Sequence, residues 1–174
     1  MPEHYFKIGK LVATFGLQGE LVLKHSLGEK TSLKGLKAIF LEEGNDVFLP
    51  YFIENTRIKN DRELWVKLEG FSTKEKGHTL TQKEVWLLEE DFQTYAAKSA
   101  PISLLGFMMI DAEDGSTLGE ILEVIEQPHQ VLCRIMINNN DALIPIHEET
   151  LDKVDKKGRK VYVTLPDGLL EIYM

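Results

Sequence analysis

A cluster of acidic side chains in the second half of the sequence has the chemistry to bind a divalent cation. Asp111, Glu113 and Asp114 stand close together, and Glu120 follows shortly after them. The alternating ligand spacing of an EF-hand loop is absent, because Gly115 comes at the wrong position after the acids. The Asp114-Gly115 pair is instead a strong hairpin signal. The cluster therefore predicts a solvated turn, and a hydrolase that uses these acids with Mg²⁺ to process RNA is an alternative.

Other residue types that carry catalysis are present without the spacing that catalysis needs. The five histidines lack metal-ligand spacing, and the single cysteine, Cys133, lies in an apolar run that predicts a buried thiol. Gly9, Gly16 and Gly19 are too widely spaced for a dinucleotide-binding turn, and no Gly-Lys-Ser/Thr phosphate loop occurs. The sequence therefore predicts a protein that is not an enzyme and that needs no metal and no cofactor.

Basic residues are concentrated in two segments. Residues 7–37 carry six lysines against two glutamates, and residues 153–160 carry five basic residues against one aspartate. Such clusters can neutralise RNA phosphates by displacing condensed counterions. Solvated loops are the competing interpretation of both segments.

Exposed aromatic residues favour the RNA-binding interpretation, because RNA bases stack on exposed rings. Phe15 lies at a glycine-flanked turn and is the best candidate for such a contact. Trp65 and Trp86 lie within predicted strands, and we expect both in the core.

The elements that position these residues are short strands separated by turns. Of the 174 residues, 43% are hydrophobic and 28% are charged, which is typical of a folded protein. Period-2 patterns and glycine-bearing turns predict strands at 5–14, 20–25, 38–42, 47–55, 63–68 and 85–88, with a short helix at 72–82. A second series of strands is predicted at 104–110, 117–125, 131–137, 142–146 and 160–165. We predict an all-β chain of two small β-barrels in tandem with short helical segments, divided into domains at 1–90 and 102–174 by a linker at 91–101.

The two halves of the chain differ in charge. The formal net charge is −8, yet residues 1–90 carry 13 basic and 14 acidic residues, whereas residues 91–174 carry 7 and 14. The acidic half predicts a basic protein partner, and RNA contact is confined to local lysine-rich surfaces. No signal peptide begins at Met1, and no apolar run is long enough to span a bilayer. We expect a soluble cytoplasmic protein with no membrane partner.

Blocks distributed over nearly the whole chain make it similar to one known family. The segment 9–21 (GKLVATFGLQGEL) resembles the N-terminal signature of the ribosome maturation factor RimM family, and 66–71 (VKLEGF) resembles its strand leading into a short helix. The start and end of the family's C-terminal domain are similar to 104–106 (LLG), 114–115 (DG), 118–121 (LGEI), 143–145 (LIP) and 165–170 (LPDGLL). Each block alone is weak, but together and in order they are specific.

This resemblance implies a six-stranded N-terminal barrel related to one in translation factors, followed by a PRC-barrel domain. It implies a non-enzymatic factor that binds the immature small ribosomal subunit, assists head assembly and 16S rRNA processing, and contacts the nineteenth small-subunit ribosomal protein. We expect it to act as a monomer. A PRC-barrel module that recruits only protein partners is the alternative.

Some positions depart from the family's pattern. Phe15 stands where the family usually has histidine, and Gln18 stands where it usually has a basic residue. The family often has paired aromatics just before its C-terminal domain, and these contribute to ribosome association. Residues 99–103 occupy that stretch here without an aromatic, and Phe92 or Tyr95 could substitute. The residues predicted to contact RNA or the ribosome are Lys10, Phe15, Gln18, Lys24 and Lys34.

Overall fold

The computed structural model describes residues 4–173. Residues 1–3 and residue 174 lie outside the described residues. The prediction that no signal peptide begins at Met1 therefore falls outside the described part of the chain. Contacts between backbone positions divide the chain into two compact units, Met1–Ala100 and Pro101–Met174. The chain is all-β with short helices, as predicted, and none of the helices within residues 4–173 is long and apolar enough to cross a membrane.

The elements of the first unit are β1 (Tyr5–Phe15), β2 (Glu20–His25), β3 (Ala38–Glu42), β4 (Phe48–Ile58), β5 (Glu63–Leu68), α1 (Lys74–His78), β6 (Glu84–Leu88) and α2 (Glu89–Tyr95). Those of the second unit are β7 (Met108–Asp111), β8 (Thr117–Glu120), β9 (Glu123–Gln127), β10 (Gln130–Ile137), β11 (Asn140–Ile146), β12 (Leu151–Asp155) and β13 (Lys160–Val163). Short 3₁₀ helices span Pro101–Leu104 and Leu170–Tyr173.

The first unit is a closed six-stranded barrel in the order β1-β2-β5-β4-β3-β6. Alternation sends every second side chain inward, so Leu64, Val66 and Leu68 of β5 are all completely buried. Burying a side chain of this size contributes roughly 1.5–3 kcal/mol. Closure also leaves no unpaired strand edge among these six strands.

A glycine allows β1 and β2 to approach each other closely. Gly9 is paired with His25, and a Cβ atom added at Gly9 would overlap the carbonyl oxygen of Lys24. The register of β1 also shifts between Lys7 and Gly9 and again between Leu11 and Ala13. These bulges bend the long strand around the barrel.

The region predicted as a linker, 91–101, begins within a helix. Residues 91–95 belong to α2, and Phe92 is buried with its ring edge-to-face against Phe6 at a centroid distance of 5.0 Å. The hydroxyl of Tyr95 donates a hydrogen bond of 2.7 Å to the carbonyl oxygen of Lys34. The sequence does not predict this helix, because a two-turn helix with one buried residue leaves little periodicity to detect.

The one helix that the sequence predicts in this unit is shorter than expected. It was predicted at 72–82 and spans only Lys74–His78. Thr73 caps it by accepting a hydrogen bond from the backbone N–H of Lys76. Each helix buries one residue, Gly77 in α1 and Phe92 in α2.

The second unit contains two sheets. One has the order β11-β10-β9 and the other the order β12-β13-β7-β8, with β13 parallel to β7. Strand β12 escaped prediction because Leu151–Asp155 is short and largely polar. The predicted strand 104–110 begins instead with the end of a 3₁₀ helix, and 117–125 is divided into β8 and β9.

Two details of the second unit agree with predictions from the sequence. Asn138 and Asn139 connect β10 to β11 with φ angles of 51° and 66°, the positive values that a two-residue hairpin of type I′ requires. Cys133 is fully buried, and burial raises the pKa of its thiol to about 12. The thiol is therefore inert, as its apolar surroundings in the sequence predict.

Candidate nucleic-acid interface

Three side chains form a stacked cluster on the outside of the first barrel. The Arg57 guanidinium carbon lies 4.5 Å from the centroid of the Trp65 ring and 5.9 Å from that of Phe15. The Phe15 and Trp65 rings are 5.2 Å apart, tilted by 40°. Phe15 is 47% exposed. We call Phe15, Arg57 and Trp65 the stacking cluster.

Strand register brings these residues together from three parts of the chain. Trp65 is paired with Arg57 on β4 and with Val22 on β2. Phe15 ends β1 opposite Glu20. Trp65 faces outward because it alternates with the buried residues of β5, so it shares the outer face with its neighbours.

An acidic residue holds the arginine in place. The Glu20 carboxylate accepts from Nη2 of Arg57 at 2.8 Å and from Nε at 3.3 Å. The pair is partly exposed, so it contributes little to stability but orients the planar guanidinium over the indole ring.

The loop between β1 and β2 presents a further apolar side chain beside the stacking cluster. Leu17 is 79% exposed, and its carbonyl oxygen accepts a 3.2 Å hydrogen bond from the backbone N–H of Lys74 at α1. Gly19, with φ of 85°, allows this loop to pack against α1, since an added Cβ would overlap the carbonyl oxygen of Phe71. The exposed Leu17 and Gln18 therefore project from an anchored loop.

Two of the predicted basic residues are direct neighbours. Lys10 on β1 is paired with Lys24 on β2, and both side chains are exposed. Within residues 4–173, neither has a carboxylate at ion-pairing distance, although Lys24 lowers the pKa of Glu63 through space. Lys7 is instead paired with Glu84 at 3.4 Å, and Lys30 with Asp61 at 3.9 Å.

Lys34 lies apart from this pair. It lines a different cleft with Glu54, Asn55 and Thr56, beside β4. Its backbone is anchored there by Tyr95. The structure therefore brings Lys10, Phe15, Gln18 and Lys24 to neighbouring strands and the loop between them, but not Lys34.

The prediction that both tryptophans belong to the core is wrong. Trp65 and Trp86 are half-buried on the outer face of the barrel, alternating with fully buried neighbours. Trp86 packs against Phe48 at 4.9 Å, and Phe48 stacks on Tyr5 at 4.4 Å with an interplanar angle of 22°. This second aromatic group is packed against itself, whereas the stacking cluster has an exposed ring.

Arg57, Trp65 and Leu17 were not identified from the sequence as functional residues. For Trp65 a signal existed, because Leu64, Val66 and Leu68 already define the inner face and place Trp65 on the other one. Arg57 could be found only from the register of β4 and β5, which includes a shift between Ile53 and Asn55. Sequence spacing alone does not reveal that shift.

The acidic turn of the second unit uses its carboxylates locally. Asp111 accepts from the backbone N–H of Glu113 at 2.9 Å, and Asp114 accepts from that of Ser116 at 2.8 Å. These bonds stabilise the turn between β7 and β8. Among the described residues, no three acids, histidines or cysteines are grouped closely enough to hold a metal ion.

The second basic segment, 153–160, has two of its cations over aromatic rings. Lys153 lies 4.9 Å from the centroid of Tyr162, and the guanidinium carbon of Arg159 lies 5.6 Å from that of Phe107. Two of the five cations of this segment therefore lie against aromatic rings of the second unit itself.

The three-stranded sheet of the second unit has an apolar outer face. Leu132 is paired with Ile125 and Pro145, and beyond them Met136 is 41% and Leu143 is 38% exposed. Arg134 crosses this face, bonded to Glu123 at 3.2 Å and to Asp141 at 3.1 Å. We call this surface the sheet face.

Family models match both units. The RimM N-terminal domain matches residues 6–92, and the RimM PRC barrel domain matches residues 101–169. The chain belongs to the RimM family. Proteins named ribosome maturation factor RimM from Christiangramia forsetii, Phocaeicola vulgatus and Parabacteroides distasonis are 32%, 33% and 31% identical to it. The alignments cover 99%, 97% and 98% of this chain and 98% of each relative.

Membership of the RimM family explains the division of the chain into a barrel and a second β unit. The two family models fall on either side of the division between residues 100 and 101. The segment between the two matches, 93–100, contains the end of α2 and the turn that follows it.

Proposed function

We propose that this chain is a ribosome maturation factor that binds the immature small ribosomal subunit and assists head assembly and 16S rRNA processing without catalysing a reaction. The names of its full-length relatives support the ribosomal role. The observation that supports the RNA-binding part of this proposal is the stacking cluster, in which an exposed aromatic ring lies beside an arginine on the barrel surface.

The stacking cluster suits an unpaired RNA base. A base laid on Phe15 would contact a side chain that is already 47% exposed, with the Arg57 guanidinium carbon 5.9 Å from the centroid of its ring. Stacking on an aromatic residue is worth about 1–3 kcal/mol per base and tolerates any sequence. Lys10 and Lys24, on the two strands that flank this loop, would supply phosphate contacts.

The second unit suits a protein partner. Residues 101–174 carry 6 basic and 13 acidic residues, so the unit favours encounter with a basic surface. The sheet face adds apolar area that such a partner would bury. The nineteenth small-subunit ribosomal protein is the partner that we propose for this face.

The mechanism is a shift of populations. A factor that binds one assembly intermediate more tightly than the others increases the share of that intermediate. The two units would hold an RNA segment and a ribosomal protein on the same subunit until the head has folded. We expect the chain to act as a monomer in the cytoplasm, with no hydrolysis of nucleotide and no bound metal.

Co-sedimentation tests this proposal. The purified chain should sediment with precursor small subunits and much less with mature ones. Absence from both would contradict the proposal. Cleavage of precursor RNA by the pure protein with Mg²⁺, abolished by Asp111→Asn, would establish an enzyme instead.

A module that recruits only protein partners is the second candidate, and the apolar sheet face favours it. RNA-independent capture of a single ribosomal protein, together with unchanged subunit binding after Phe15→Ala, would support this candidate over the RNA-binding one.

A further inference from the structure

We propose that the cleft at the β4–β5 turn binds a backbone phosphate of the same RNA strand whose base stacks on the stacking cluster. This inference rests on the proposed function and adds the position of a second contact. The cleft has a volume of about 650 Å³ and is lined by Lys24, Lys30, Lys59, Asn60, Asp61, Arg62 and Glu63. We call it the hairpin cleft.

Cations outnumber carboxylates in the hairpin cleft, four to two. The Glu63 carboxylate accepts from the Asn60 amide at 2.9 Å and pairs with Lys59 at 3.5 Å. These contacts hold the pKa of Glu63 below its usual range, so it stays ionised at neutral pH. Asp61 is paired only loosely with Lys30, at 3.9 Å.

Two of the four cations are available to a ligand. Within residues 4–173, Lys24 and Arg62 have no carboxylate at ion-pairing distance, and both are exposed. The planar guanidinium of Arg62 can donate two parallel hydrogen bonds to a phosphate, while Lys24 acts as a point charge. Lys10, paired with Lys24, adds positive charge from the next strand.

The backbone that carries these side chains is fixed. The N–H groups of Lys59 and Asn60 both donate to the carbonyl oxygen of Glu63 at 3.0 Å. The carbonyl oxygen of Arg62 accepts from His25 of β2 at 2.8 Å. An anion would therefore order only side chains on entering the hairpin cleft, which lowers the entropic cost of binding.

The hairpin cleft lies close to the stacking cluster. Glu63 and Trp65 stand on the same outer face of β5, two residues apart, which corresponds to about 7 Å along a strand. Lys24 is paired with Glu63, and Arg57 is paired with Trp65. Base and phosphate contacts at this separation suit one extended, unpaired RNA strand, because a duplex would not offer its base face to Phe15.

The test is the salt dependence of binding to a fluorescein-labelled, single-stranded RNA, measured by anisotropy with the full chain. The double variant Lys24→Gln/Arg62→Gln is compared with Lys37→Gln/Lys98→Gln, which removes two exposed lysines of the same unit outside the cleft. Removing one cation that neutralises a phosphate of a single strand reduces the slope of log K against log salt by about 0.7. Lys24 and Arg62 neutralise one phosphate between them, so we expect a slope reduced by about 0.7 in the cleft variant and an unchanged slope in the control.

A further variant separates charge from geometry. Arg62→Lys keeps the charge, so it should keep the slope, but it cannot make the two-pronged contact and should bind more weakly than wild type. Urea unfolding of every variant verifies that the fold is retained.

The possible outcomes separate the proposal of a phosphate site in the hairpin cleft from the proposed RNA-binding function. An unchanged, wild-type slope in Lys24→Gln/Arg62→Gln would contradict phosphate binding in the hairpin cleft. Weaker binding by Phe15→Ala in the same assay would still support the RNA-binding function. A wild-type chain that binds no RNA would overturn both.

Discussion

The Arg57 guanidinium carbon lies 4.5 Å from the centroid of the Trp65 ring, on the outside of the first barrel. An arginine on an aromatic face is stabilised by the ring's quadrupole, by roughly 0.5–1 kcal/mol where the pair is exposed. Glu20 holds the guanidinium from its other side, and Phe15 extends the aromatic surface toward solvent. The arrangement is a surface ready to stack a base.

Phe15→Ala should weaken binding to precursor subunits while leaving the fold intact. Because the ring is 47% exposed, its removal creates little cavity, but it deletes about 1–3 kcal/mol of stacking, roughly 5- to 150-fold in Kd. Phe52→Ala is the matched control, since Phe52 is 51% exposed on the same barrel. Equal effects of the two substitutions would contradict a specific role for Phe15.

Glu20→Gln should tighten RNA binding. The substitution releases Arg57 from its 2.8 Å ion pair and removes a negative charge that repels phosphates. Stability should change by at most about 1 kcal/mol, because exposed pairs contribute little. We expect roughly 2- to 5-fold tighter binding, which corresponds to the free energy that an exposed ion pair contributes.

The control for this gain is Glu43→Gln, which removes a carboxylate paired with Lys83 at 3.0 Å elsewhere on the barrel. Binding that tightens equally in both variants would show a general charge effect. Weaker binding by Glu20→Gln would mean that Arg57 must be held by Glu20 to stack.

Two glycines of the β1–β2 loop should differ in their tolerance of a side chain. Gly16 and Gly19 have φ of 70° and 85°, so alanine at either costs about 1–2 kcal/mol of backbone strain. At Gly16 the space around the added Cβ is empty, but at Gly19 it would overlap the Phe71 carbonyl oxygen. Gly19→Ala should therefore lower the free energy of unfolding by about 1–3 kcal/mol more than Gly16→Ala.

Urea denaturation of the two variants measures this difference directly. Equal destabilisation would mean that the loop does not pack against the segment that leads into α1.

His25 should make the first barrel less stable in mild acid. Burial lowers the pKa of its imidazole, opposed by the nearby Glu63, and its Nδ1 accepts from the backbone N–H of Leu27 at 3.2 Å. The unfolded chain protonates this histidine below about pH 6.5, whereas the folded chain protonates it only at lower pH. The free energy of unfolding should therefore fall as pH drops below about 6.5, by up to about 1.4 kcal/mol per pH unit.

Urea unfolding of His25→Asn across the same pH range isolates this contribution. An asparagine oxygen can accept from the N–H two residues on, but it does not titrate. A variant whose stability falls as steeply as that of wild type would assign the acid sensitivity to other groups.

Much of the fold could be predicted from the sequence because strand alternation and turn residues are local signals. The bounds of Glu20–His25, Ala38–Glu42 and Glu63–Leu68 agree with their predictions, and so does the turn at Asn138. Helix α2 was missed because its stability comes from packing Phe92 against the barrel, a contact between distant residues.

The candidate site could be predicted only in part. Lys10 and Lys24 were predicted from the lysine-rich segment 7–37, Phe15 from its glycine-flanked turn, and Gln18 from its place in the family motif. Arg57 and Trp65 join them through strand register, which depends on a bulge in β4 and on the turn that follows it. Lys34 belongs to the same basic segment, but it lines a different cleft, beside β4.

The most direct test is a structure of this protein bound to a small-subunit precursor. The proposed function predicts that Phe15, Arg57 and Trp65 face an unpaired segment of 16S rRNA, while the sheet face of the second unit contacts a ribosomal protein. A bound protein whose stacking cluster faces solvent, with its RNA contacts elsewhere, would contradict the account.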